Sequence, residues 1–257
     1  MPVPLDPAKY RSKPFFNPLD FLGYIRDKGL LGDRSPPEAV ILSYQRSLFD
    51  EVCRSRRVSA PSGYFSGQLR YLDDEDGRVA IAGGFGIGAP AAAVMLEELI
   101  AFGAKRFISV GTAGSLLPEL QPGSLVLCDS ALRDEGTSYH YLPGGGLVYP
   151  SEGLTARLRS SLVSHGLPFR SGPSWTTDAI YRETPAEILM HSAKGALVVE
   201  MEAAALFAVA RFRSCLIAAC FGVSDTLAEL AWRPEFHAET TREGLAALFD
   251  AALEAIR

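Results

Sequence analysis

Beyond residue 37 the hydrophobic pattern switches repeatedly between two periods. Short apolar or alternating runs, PEAVILSY, QLRYL, RVAIAGG, RFISVG, SLVLCDSAL, PFRSGPSWT, ALVVE and CLIAACFGV, predict strands. Interleaved with the later ones, APAAAVMLEELIAFG, SEGLTARLRSSLVSHG, TPAEILMHSAKG, MEAAALFAVARF and TREGLAALFDAALEAI predict helices; Pro90 sits near the start of the first, and Gly103 and Gly166 close the first two. Ahead of this pattern, residues 1–37 are proline-rich at both ends and carry one short helix signal, NPLDFLGYIRDKG. Asn17 suits its N-cap, Pro18 its first position and Gly29 its stop, with Leu19, Leu22 and Ile25 as the buried stripe. Strands alternating with helices predict one α/β domain, residues 38–257, with a largely parallel sheet covered on both faces. Ligands of such sheets bind beyond the carboxyl ends of the strands.

Composition narrows the function classes. The 257 residues are 47% hydrophobic and 21% charged, which excludes a disordered or collagen-like chain, and four cysteines are too few for a disulfide scaffold. A net charge of −5 offers no broad positive surface to nucleic acid or anionic lipid, so any bound anion is held locally. The cluster Arg54, Arg56 and Arg57 reads as a solvated face. Cys53, Cys128, Cys215 and Cys220 are widely spaced without a CxxC pair, as expected of thiols in a reducing compartment and not of a metal site. The longest apolar run, residues 215–221, is too short to cross a bilayer, and the N-terminus lacks a signal-peptide core. The expected location is cytoplasmic.

Four strand ends carry the chemistry. The first, GGFGIGAP at 83–90, offers backbone amides at a tight turn before a helix. It lacks GxGxxG and the acidic residue at the end of the following strand, which argues against a dinucleotide site. The second, SVGTAGS at 109–115, sets the Thr112 hydroxyl among Gly111, Ala113 and Gly114, small enough to let a ligand approach the backbone. In the third, Glu200, Met201 and Glu202 enter an alanine-rich helix; a carboxylate accepts two hydrogen bonds from vicinal hydroxyls, the usual grip on a ribose, and otherwise serves the helix dipole. The fourth is a buried strand ending in Ser224 and Asp225, where a desolvated carboxyl can hold a proton for donation or, alternatively, cap a following helical turn in TLAELAW.

Together these segments resemble the nucleoside phosphorylase-I superfamily of purine nucleoside phosphorylases, uridine phosphorylases and methylthioadenosine nucleosidases. GFGIGAPAAAVMLEELIAFGAKRFISVGTAGSL, RDEGTSYHYLP, TTDAIYRE, VVEMEAAALF and GVSDT recur in the family's order. The resemblance implies a three-layer αβα fold around a mixed, partly barrel-like sheet, assembled as a homo-oligomer, dimer or hexamer. It implies a nucleoside and inorganic phosphate as substrates, with no cofactor and no metal. The implied reaction cleaves a ribosyl N-glycosidic bond with phosphate, giving free base and ribose 1-phosphate. By the same resemblance Asp225 is the catalytic residue, serving N7 of a purine; Glu202, Met201 and Glu200 bind ribose; Ala113, Gly114, Ile180 and Ser224 line the base; Thr112, Gly111 and Arg46 bind phosphate.

The chain also departs from the family pattern. Ser109 stands where hexameric phosphorylases carry an arginine, the loop SYQRSLFD lacks the expected glycine, and SAPSGYF at 59–65 contains no arginine for a neighbouring subunit to donate. The glutamate that nucleosidases place after the first strand is missing too, and no histidine precedes His140. By the resemblance Asp225 favours purine over uridine, while Ile180 stands in place of an aromatic, Thr184 where the uracil-reading glutamine would fall, and Arg182 is displaced. Hydrolysis by a nucleosidase and a catalytically silent nucleoside-binding member are the alternatives to phosphorolysis.

Overall fold

The computed structural model describes Pro4 and residues 6–257. Among the described residues eleven strands run in chain order as β1 (Ala39–Ser43), β2 (Val58–Ser59), β3 (Leu69–Leu72), β4 (Val79–Ala82), β5 (Arg106–Ser115), β6 (Leu125–Asp134), β7 (Leu147–Val148), β8 (Phe169–Thr177), β9 (Val198–Glu200), β10 (Leu216–Thr226) and β11 (Arg233–Pro234). The α-helices among the described residues are α1 (Pro18–Asp27), α2 (Arg46–Ser55), α3 (Ala89–Phe102), α4 (Glu152–Ser164), α5 (Pro185–Ala193), α6 (Ala203–Arg213) and α7 (Glu239–Ile256).

β5 organises the sheet. One of its edges pairs in parallel with β10 from Arg106 to Ser115. The other pairs in parallel with β1 as far as Val110 and then antiparallel with β9 at Gly114 and Ser115. β10 continues antiparallel to β6, β6 lies parallel to β8, and β8 parallel to β9, so β5, β10, β6, β8 and β9 close into a five-stranded barrel. β1, β4, β3 and β2 extend from β5 as an open wing. The sheet is thus mixed, as the family resemblance implies, and less uniformly parallel than the helix–strand alternation predicts.

Successive strand residues point to opposite faces. Val40, Leu42 and Phe107 enter one apolar cluster with α1, α3 and α6, whereas Ala39, Ile41 and Ile108 enter another with α2, α4 and α7. These are the three layers. Asn17 caps α1 reciprocally with Asp20, and Leu22 and Ile25 are buried as predicted. Leu19 is exposed instead. The segment before residue 38 is strapped to the body: Leu22, Ile25 and Leu31 join the main core, and the Tyr71 hydroxyl donates to the Ser35 carbonyl.

Three local expectations change. α2 was not predicted, because its buried residues reduce to Leu48 and Val52 on an otherwise polar helix and Gln45 makes no side-chain cap. β5 runs through the segment read as a turn at 111–114, since β10 pairs with it all the way to Ser115. No helix forms over residues 226–232; β10 reaches Thr226 and pairs with β11, which removes the capping alternative for Asp225. All four cysteines are free thiols, two buried and two partly so. No helix among the described residues is long and apolar enough to cross a membrane.

Phe107 is fully buried on the strand shared by barrel and wing. Phe107→Ala is expected to cost about 3–5 kcal/mol, read by urea denaturation. A loss below about 1 kcal/mol would show that this junction does not carry the core.

Candidate active site

The fork in β5 creates the site. β1 follows its edge to Val110 and β9 meets the same edge at Gly114, so the two strand ends point at one another across Gly111, Thr112 and Ala113. β1 delivers Tyr44 and Gln45 to one side of this gap. β9 delivers Glu200, Met201 and Glu202 to the other.

Glu200 faces inward and is fully committed. One of its oxygens accepts from the Ser174 and Thr176 hydroxyls of β8, and the other from the backbone amides of Glu202 and Ala203 at 2.7 and 2.8 Å. Burial raises its proton affinity, and these four donors pull it back. The arrangement ties β8 to the start of α6 and leaves no oxygen for a sugar, so the expected ribose contact from Glu200 is corrected to a structural role. Glu202 is the carboxyl presented to the gap. Its Oε1 accepts from the Gly88 amide at 2.6 Å. Its pKa is pushed up to about 8, first by burial and then by the charge of Glu200. Gly88 adopts φ +91°, a conformation that favours glycine, and Met201 Cε comes within 3.8 Å of where its Cβ would lie. The glycine turn and the ribose candidates, 114 residues apart in the chain, therefore share one wall.

On the β1 side the Tyr44 hydroxyl hydrogen-bonds Ser109 Oγ at 3.2 Å, and Gln45 Nε2 donates to Thr112 Oγ1 at 2.7 Å. The Tyr44 ring meets Phe85 of the glycine turn edge-to-face at 5.5 Å and would lie 3.2 Å from a Cβ on Gly111. Burial, then the charge of Glu202, raises the Tyr44 pKa well above that of an ordinary phenol. Arg46, the expected phosphate ligand, is 91% exposed and pairs with Asp50 at 3.4 Å. As the first residue of α2 it is held outside, and the adjacent Gln45 points inward in its stead.

Asp225 marks the far end of the gap. A register shift between Val223 and Asp225 places Ser224 in a bulge and Asp225 opposite Gly114. Ser224 Oγ donates to Asp225 Oδ1 at 2.8 Å, and the Trp232 indole donates to Oδ2 at 2.9 Å. A Cβ on Gly114 would come within 3.1 Å of that carboxylate and 2.6 Å of Leu227, so only glycine fits there. Ala113 is buried between the two ends, and Ile180 is half exposed in a short 3-10 turn after β8. Sequence reasoning missed Trp232, Tyr44, Gln45 and Glu183. Glu183 is held near a pKa of about 7 by burial and by the charge of Asp225. In the sequence it closes the segment TTDAIYRE, beside Thr184, the N-cap of α5.

The loop after β6 is fixed by Arg133, which is buried and donates to the Ser138 hydroxyl and to the carbonyls of Leu142, Pro143 and Gly145. The RDEGTSYHYLP motif thus serves loop architecture. Asp178 accepts from the Gly136 amide at 2.8 Å and ties the end of β8 to this loop.

Comparison with known proteins agrees with this architecture. The family model described as Phosphorylase superfamily matches residues 39–257, and the chain belongs to that family. A guanosine phosphorylase of Halorubrum lacusprofundi is 32% identical over 49% of this chain and 52% of its own length. A uridine phosphorylase of Treponema pallidum is 34% identical over 50% of this chain and 54% of its own. The matched region spans about half the length of these relatives. Among solved structures, a purine nucleoside phosphorylase of Toxoplasma gondii in complex with immucillin-H superposes with a TM-score of 0.73 at 22% identity, covering 86% of this chain and 91% of that one. An AMP nucleosidase of Bacteroides thetaiotaomicron gives 0.69 at 22% identity, covering 84% and 87%. These likenesses establish the phosphorylase fold.

The raised pKa of Glu202 carries a sign. The folded state binds this proton more tightly than the unfolded chain, whose Glu titrates near about 4.3. Its contribution is fully present below that value and is lost as pH rises through about 8. Glu202→Gln, which keeps an acceptor for Gly88, is expected to gain stability over the parent between about pH 5 and about pH 9. Melting temperatures across that range check it; parallel profiles for the two proteins would mean that Glu202 is not desolvated.

Proposed function

We propose that this chain is an enzyme that cleaves the N-glycosidic bond of a purine ribonucleoside. The observation that carries the reading is that two buried carboxyls flank the Gly111–Gly114 segment on its two edges, Glu202 after β9 with Oε1 on the Gly88 amide and Asp225 in β10 opposite Gly114. Glu202 grips the ribose 2′- and 3′-hydroxyls with Met201 beneath the ring, while Ala113, Gly114, Ser224 and Ile180 border the base. As the bond breaks, the sugar gains positive charge opposite Glu202 and Glu200, and the base gains negative charge beside Asp225. Glu183, near enough to feel the charge of Asp225, retains its proton up to about pH 7 and is the source of the proton that N7 of the leaving base takes beside Asp225.

Thr184, at the position of a uracil-reading residue, is spent on the α5 capping box with Glu187, which supports purine over uridine. Phosphate, with Thr112 and Gly111 as its ligands, is the acceptor that the family resemblance implies. A homo-oligomer, dimer or hexamer, acting in the cytoplasm is part of the same reading. The exposed apolar side chains Ile87, Val94 and Phe212 favour the assembly.

Free base released from inosine, guanosine, adenosine and uridine, followed chromatographically, tests the proposal. Purine release should dominate; faster release of uracil would overturn the purine assignment. Asp225→Asn is expected to lower turnover by ~10²–10⁴, and an unchanged rate would remove Asp225 from the chemistry. Because Glu183 acts in its protonated form, parent turnover should fall as pH rises through about 7. Glu183→Gln should lose that limb, and retention of it would assign the titration to another group.

A further inference from the structure

We infer that Trp232 is a base-binding residue of this site: its indole N–H fixes Asp225, and its ring forms the outer wall against which the purine stacks. This role rests on the cleavage of a purine ribonucleoside proposed above and sets which bases that cleavage accepts.

The β10–β11 ribbon explains why the indole reaches the carboxyl. Asp225 pairs with Pro234 and Thr226 with Arg233 in antiparallel register. Side chains alternate between the two faces of such a ribbon, so Trp232, the residue before β11, shares the face of Asp225. The connecting turn is fixed at several points. The Leu227 amide donates to the Ser115 carbonyl at 2.8 Å, the Leu230 amide to the Leu227 carbonyl at 2.9 Å and the Glu235 amide to the Ser224 carbonyl at 2.8 Å. The face that carries Asp225 and Trp232 looks onto β5: a Cβ on Gly114 would meet Asp225 Oδ2 at 3.1 Å, and the same Oδ2 accepts from the indole at 2.9 Å.

The indole is held by its edge and open on its faces. Its one polar atom is engaged, yet Trp232 is 63% exposed. The Phe236 ring lies 6.3 Å away, tilted by 54°, and is also exposed. Two uncovered aromatic rings beside a buried carboxyl form an apolar surface that gains from being covered by another flat ring. Ser224 and Trp232 each take one site on a different oxygen of Asp225, which leaves a second site on each for the base. A base N–H bound to Oδ2 at an ordinary ~2.9 Å would bring its nitrogen within about 6 Å of the indole nitrogen, so two rings that share this oxygen touch. The fused rings of a purine cover more of the indole than the single ring of uracil, which makes Trp232 a selector of base size.

Steady-state kinetics of Trp232→Leu and Trp232→Phe with inosine and uridine test both roles; the ring is exposed, so both variants should melt with the parent. Trp232→Leu removes the stack, and KM for inosine should rise by about 5–100-fold, with a smaller rise for uridine. Trp232→Phe keeps a ring without the N–H, so KM for inosine should stay near that of the parent while kcat falls by about tenfold. An unchanged KM in the leucine variant, or a parent-like kcat in the phenylalanine variant, would overturn the inference. Trp175 and Trp232 are the two tryptophans of the chain. Hypoxanthine should therefore quench the fluorescence of the parent and leave that of Trp232→Phe unchanged; an equal quench in both would overturn the stack. Purine cleavage that neither substitution affects would overturn the inference and leave the cleavage reading standing, whereas a parent that cleaves no purine ribonucleoside would remove both.

Discussion

The candidate site depends on one buried carboxylate. Glu200 takes two hydroxyl donors from β8 and two amide donors from the start of α6, and in this way joins barrel wall to helix at the point where β9 ends. A carboxylate so buried is tolerated only because its lone pairs are filled; withdrawing even one donor exposes part of a large desolvation cost. Everything exposed to the gap follows from this anchor. Met201 and Glu202 come directly after it and are aimed by the α6 turn it holds. Glu202 then reaches the Gly88 amide, which ties α6 to α3 across the glycine turn.

The second constraint is topological. β5 cannot pair with both β1 and β9 along its full length on one edge, so it pairs with each in turn and leaves Gly111 to Ala113 without a partner between them. A gap in a ladder leaves backbone groups unpaired unless side chains or ligands fill it. Here side chains from both strand ends surround the gap, and the bulge at Ser224 on the opposite edge turns Asp225 toward the same segment. Pairing rules that build the barrel thus also open the cleft, without a dedicated loop.

How much of this was legible in the sequence depended on whether the signal was local. The periodic segments and the Asn17 and Gly29 boundaries of α1 were readable because capping and amphipathicity involve residues a few positions apart. The strand ends could be named as chemical because glycine, threonine and carboxyl residues interrupt apolar runs there. Assigning roles within them required distant partners. Glu200 and Glu202 look equivalent in VVEME, and only Ser174 and Thr176 on the adjoining strand separate the structural carboxyl from the exposed one. Arg46 was named from its charge and its closeness to β1, but helix α2 begins on it and turns it to solvent, while its uncharged neighbour Gln45 reaches Thr112. Glu183 and Trp232 meet Asp225 only after α5 and the β10–β11 connection fold against it.

The charge pattern of the gap links these residues to one chemical preference. Burial, and after it the charge of Glu200, makes Glu202 hold its proton to about pH 8, and burial with the charge of Asp225 does the same for Glu183 to about pH 7 at the base end. Like charges placed in a desolvated site raise the energy of the empty, fully ionised state. On the reading proposed above, a sugar that gains positive charge as its bond breaks lies beside these carboxyls, which stabilise that charge more in the transition state than in the bound ground state. The wall across the gap is uncharged: Tyr44, Gln45 and Ser109 hydrogen-bond there around Thr112.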